Sequence, residues 1–111
     1  MSVTLKNAYM AQPGVTDTTL YTCPANTTAK VVKCTVTNDT TTAATISFNK
    51  RPAAAGAAVT NLILNLKPIG NKETYECPEV VGQILDTTDI LSAIASVADQ
   101  LTVSLDIVEI V

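Results

Sequence analysis

The stretch Leu20–Asn38, Leu-Tyr-Thr-Cys-Pro-Ala-Asn-Thr-Thr-Ala-Lys-Val-Val-Lys-Cys-Thr-Val-Thr-Asn, constrains the fold of this chain more than any other. It predicts one strand closed by Pro24, a polar turn over Ala25–Thr28 and a second, long strand from Ala29 to Thr37. In the long strand Val32, Cys34 and Val36 are expected on one face, and Lys33, Thr35 and Thr37 on the other. Such a period of two is what a strand needs when one side is buried and the other is wet.

The same pattern recurs along the chain. Strands are predicted at Val3–Met10, Thr18–Cys23, Ala43–Asn49 and Thr60–Lys67, then at Lys72–Cys77, Ile90–Val97 and Leu101–Ile110, with a short run at Gln83–Leu85. Ala44, Ile46 and Phe48 alternate with Thr45, Ser47 and Asn49; Leu62, Leu64 and Leu66 alternate with Asn61, Ile63, Asn65 and Lys67; Leu101, Val103, Leu105 and Ile107 alternate with Thr102, Ser104 and Asp106. Ile90–Val97 and Leu101–Ile110 are expected to form a hairpin around Ala98-Asp99-Gln100. Turn signals separate the runs at Gln12-Pro13-Gly14, Asn38–Thr42, Pro68–Asn71, Glu79–Gly82 and Asp86–Asp89. No amphipathic helix intervenes. The Ala-rich Lys50–Val59 is broken by Pro52 and Gly56 and reads as a surface loop, either a plain crossover or a contact arm. These features predict a single all-β domain over 1–111: an antiparallel, jelly-roll-like β-sandwich of about eight strands.

Composition agrees. Hydrophobic residues make up 47% of the 111, but there is one Phe and no Trp, so the core must be built from Val, Ile, Leu and Ala. β-Branched residues pack well on a pleated surface. The net charge is −3 and the seven basic residues are scattered, which disfavours nucleic-acid binding. Neither a signal peptide nor a membrane span is expected. The three cysteines, Cys23, Cys34 and Cys77, are expected as free, small apolar residues. Tyr21-Thr22-Cys23-Pro24 is echoed by Tyr75-Glu76-Cys77-Pro78. The echo admits a Cys23–Cys77 redox or metal couple, with Cys34 as a third ligand, or simply two strands ending alike. Asn26-Thr27-Thr28 and Asn38-Asp39-Thr40 match the glycosylation sequon but are read as turns.

With no His, the commonest general base and most triads are excluded. The four glycines are isolated, so there is no phosphate-cradling loop. Asp86 and Asp89, and Glu73, Glu76 and Glu79, are acids in turns and strand ends, short of the ligand count of a calcium cage. No catalytic, cofactor-binding or metal site and no cofactor are expected. Charged residues are only 15% and mean hydropathy is +0.29, which leaves apolar surface for a partner or another copy to cover.

Over roughly residues 18 to 110 the chain resembles small virion proteins of tailed bacteriophages. The similarity runs through Leu20–Asn38, the Ala/Gly loop, the Glu73-Thr74-Tyr75-Glu76 strand, Gly82–Asp86 and Leu101–Ser104. The resemblance implies a non-enzymatic structural protein, made in the host cytoplasm and assembled on the virion. Foremost it implies a capsid decoration or cement protein that binds the major capsid protein and itself, with no nucleic acid or membrane as partner. A tail, neck or fibre component is the alternative, and a small carbohydrate-binding module the alternative of another class. In this picture an extended segment over residues 1–16, or the Lys50–Val59 loop, drapes over a neighbour or adds a strand to its sheet edge.

Overall fold

A computed structural model describes residues 2–111. Nine strands form among them: β1 (Val3–Ala11), β2 (Thr18–Thr22), β3 (Thr28–Asn38), β4 (Ala44–Arg51), β5 (Leu62–Ile69), β6 (Thr74–Tyr75), β7 (Ile84–Leu85), β8 (Ile90–Ala95) and β9 (Leu101–Ile110). One sheet has the order β1-β9-β3-β6, with β7 also on β3, and the other has the order β2-β8-β4-β5. Only β4 and β5 are both consecutive and paired; the other connections leave a strand for a partner elsewhere. Every pairing is antiparallel. Crossing between two sheets at nearly every connection is the jelly-roll solution, so the fold class read from the sequence holds.

One pairing read from sequence is corrected: β8 and β9, expected as a hairpin, lie in different sheets. β2 and β3, the two strands of Leu20–Asn38, also belong to different sheets. Side-chain alternation tells a strand which face to bury but not which strand to sit beside. Residues 1–16 are not a free extension: Val3–Ala11 pair with β9 along their length, while Met1 lies outside the described residues.

The core lies between the sheets. Leu101, Val103, Leu105 and Ile107 on β9 are fully buried, as the alternation requires, and Ile46, Phe48, Leu91 and Ala93 are fully buried on the other sheet. β9 sits between β1 and β3, and each neighbour carries one extra residue at the level of Asp106. On β1 the register slips between Asn7 and Tyr9, and on β3 between Val31 and Lys33. The second bulge corrects the expected phase of β3. Ala29, Val31, Cys34, Val36 and Asn38 point inward, and Val32 stands outside at 44% exposure. Further slips occur between β4 and β5, where Leu66 has φ 49 and is exposed instead of facing the core. A bulge adds a residue to one strand, so every later side chain changes face.

Ser47 and Asn49, expected on the wet face of β4, are buried as well. The Lys50–Val59 loop runs through short 3₁₀ turns at Pro52–Ala54 and Val59–Asn61. The Asn49 amide donates to Ala58 O at 3.0 Å and Asn61 Oδ1 at 2.6 Å, and Arg51 Nε donates to Ala55 O at 2.6 Å. Arg51 also pairs with Asp17 at 2.9 Å. The loop is therefore a pinned connection, not a loose arm.

Candidate binding surface

Polarity inverts at one end of the β1–β9 sheet. Lys6 lies opposite Ile107, whose side chain is in the core, so Lys6 points toward the other sheet. Its ammonium lies 3.8 Å from Glu109 and 6.0 Å from the ring centre of buried Tyr21. The Tyr21 hydroxyl donates to Glu109 Oε2 at 2.5 Å. Burial first, and then this acceptor, hold the Tyr21 phenol well above the usual phenol range. Charges thus close the end of the sandwich.

The complementary row faces water. Val3 pairs with Ile110, Leu5 with Val108 and Asn7 with Asp106, all on the outer face of the sheet. Val3, Leu5 and Ile110 are 59%, 77% and 39% exposed. On the far side of β9, Val108 is opposite Lys30, and Lys30 is opposite exposed Ile84 of β7. Where the bulges flank Asp106 an open groove of about 350 Å³ forms, with Leu5, Asn7, Val32 and Asp106 in its lining. The Asn7 amide donates to Asp106 Oδ1 at 2.8 Å and Lys33 faces Asp106 from β3, so a polar pair marks its floor. Apolar side chains with a few placed polar groups make a surface suited to contact with another protein.

The remaining candidates resolve into structural roles. Cys23, Cys34 and Cys77 are buried and free. Cys23 Sγ donates to Thr27 O at 3.3 Å and Leu85 O at 3.5 Å, and burial raises its pKa. Cys77 neighbours Cys34, not Cys23; the adjacent Cys34 thiol, and then burial, raise the Cys77 pKa. The two Tyr-x-Cys-Pro segments lie on edge strands of opposite sheets, so they do not sit side by side. Their tyrosines nonetheless share a device: the Tyr75 hydroxyl donates to Glu79, and Lys67 lies 4.8 Å from its ring centre. Burial and this bond push the Tyr75 pKa up to about 12, and the same bond lowers that of Glu79. Asp89 ties its own turn to the Lys50–Val59 connection, accepting from Asp86 N and Ala53 N at 2.9 Å each. Glu73 accepts from Gly70 N. Among the described residues no three metal-ligating side chains come together. Phe48 and Tyr21 are buried, whereas Tyr9 and Tyr75 are half-buried and Lys67 lies over the Tyr75 ring.

The sequon Asn38 is fully buried. Its amide nitrogen donates to Thr42 O at 2.9 Å and Ile69 O at 3.1 Å, and its oxygen accepts from Thr40 N at 3.0 Å and Thr40 Oγ1 at 2.7 Å. It is the turn residue expected, with an added tie to β5.

Searches against protein-family models, curated proteins and solved structures match nothing to this chain.

Proposed function

We propose that this chain is a non-enzymatic structural protein of a phage particle: a capsid decoration or cement protein that binds the major capsid protein and stabilises the shell. The observation that carries the proposal is the inverted end of the β1–β9 sheet, where Val3, Leu5 and Ile110 are exposed while Lys6 and Glu109 turn inward. An apolar row left in water on a small domain is a place for a partner. The resemblance of Leu20–Asn38 to virion β-strands directs the choice of partner to a capsid shell, and copies repeated by symmetry would turn a modest contact into firm attachment.

The test is to add purified protein to shells that lack it and heat them. Shells that open at a higher temperature with the protein bound support the proposal. Unchanged opening at saturating protein, with no density on shell faces by cryo-electron microscopy, overturns it.

A further inference from the structure

We infer that the open edge of β1 is the site where a second copy of this chain adds its own β1, antiparallel, about a two-fold axis through Leu5. Ser2 and Val111 exchange both backbone hydrogen bonds, at 3.1 and 2.9 Å. In an antiparallel ladder such pairs alternate with pairs that exchange none. Thr4 and Lys6 therefore bond β9, whereas the backbone N–H and C=O of Val3, Leu5 and Asn7 point away from it, to the open edge.

This edge differs from the others. β2 has five residues, β6 and β7 have two each, and β5 carries Pro68, Lys67 and register slips. Short strands, Pro, Lys and bulges are the devices that blunt an edge. β1 runs nine residues with no Pro, and up to its bulge at Ala8 the single charge is Lys6, already engaged by Glu109.

The two-fold register is self-compatible. Leu5 faces Leu5 of the other copy, Val3 faces Asn7, and Thr4 faces Lys6, so no like charges are directly opposed. Val3, Leu5, Val108 and Ile110 of both copies then line one continuous outer face. The bulge at Ala8 ends the pairing after Asn7. The inference gives an interface to the self-association that the resemblance implies, and it does not depend on shell binding.

The test needs no shell, so its failure and the failure of shell binding are separate results. Sedimentation equilibrium of the full chain should show a concentration-dependent dimer. Leu5→Lys and Leu5→Glu each place like charges at the axis and should weaken it on the order of a hundredfold. Mixing the two variants should restore a heterodimer. Leu5 is 77% exposed, so both variants should keep the native circular dichroism and melting curve. On dimerisation the amides of Val3, Leu5 and Asn7 should become protected from hydrogen exchange. A wild-type chain that stays monomeric at millimolar concentration overturns the inference and leaves the edge to a foreign strand. Variants that dimerise like wild type, or a mixture that stays monomeric, overturn it too.

Discussion

The bulge in β3 makes a prediction that separates two adjacent valines. Val31 is fully buried and Val32 is 44% exposed, although regular alternation assigns the core to Val32. Val→Thr is the sharpest probe, because it keeps the β-branched shape and replaces one methyl by hydroxyl. At Val31 the hydroxyl enters an apolar environment and should cost about 2 kcal/mol. At Val32 it meets water, and the change should stay within about 0.5 kcal/mol. For a chain of 111 residues the unfolding entropy is about 0.23 kcal/mol/K, so about 1 kcal/mol moves the melting point by about 4 °C. Calorimetry should therefore find Val31→Thr lower by about 9 °C and Val32→Thr within about 2 °C of wild type. Equal losses, or the larger loss at Val32, would refute the bulged register and return β3 to regular alternation.

Asn38→Ala removes a side chain with four hydrogen bonds and should cost about 3 kcal/mol in urea unfolding, well beyond Thr40→Ala. A loss no larger than that of Thr40→Ala would deny the tie to Ile69 any weight. Ser92 Oγ is buried without a hydrogen-bond partner among the described residues, so Ser92→Ala should be neutral or stabilising by up to about 1 kcal/mol. Tyr21 and Tyr75 keep their protons in the native state at pH values that ionise an unfolded tyrosine. Because the folded pKa is the higher one, their contribution is full below about pH 10. It is lost as the pH rises through about 12 for Tyr75, and Tyr21 titrates later. Urea midpoints that fall over this range, together with delayed phenolate absorbance, would show it; midpoints that stay flat would count against both hydrogen bonds. All three thiols are buried, so they should react slowly with a thiol reagent in native protein and rapidly, three per chain, in denaturant.

What the sequence shows and what it hides follow from the same rule. In β9 the row Leu101, Val103, Leu105 and Ile107 is legible because it is regular and its polar neighbours are unambiguous. In β3 the doublet Val31-Val32 offers two equally apolar choices; the decision is made by β9, against which the extra residue must be accommodated. The turn before Leu101 reads alike whether the chain doubles back within a sheet or crosses to the other. The candidate surface was hidden by a normal-looking signal. Val3 and Leu5 alternate with Thr4 and Lys6 as a core strand would, yet in the fold the apolar row is wet and Lys6 is turned inward. No single-strand pattern reveals that inversion. It becomes visible only when Lys6 is set beside Glu109 and Tyr21.

The inversion also bears on how contact with a shell and contact with a second copy relate. Lys6 facing inward is a device that discourages indiscriminate pairing at an edge, because a foreign strand laid in the wrong register meets an ammonium group. Here Glu109 and the Tyr21 ring already engage that charge, so a partner able to keep Lys6 opposite a neutral residue faces little opposition. A second copy centred on Leu5 meets the condition, since it sets Thr4 there. Pairing of this kind would leave Leu5, Val108 and Ile110 of both copies on one outer face. That face would be roughly twice the size of a single copy's patch. The edge and the face are thus compatible sites: backbone hydrogen bonds join the copies in the plane of the sheet, and apolar side chains meet a partner perpendicular to it.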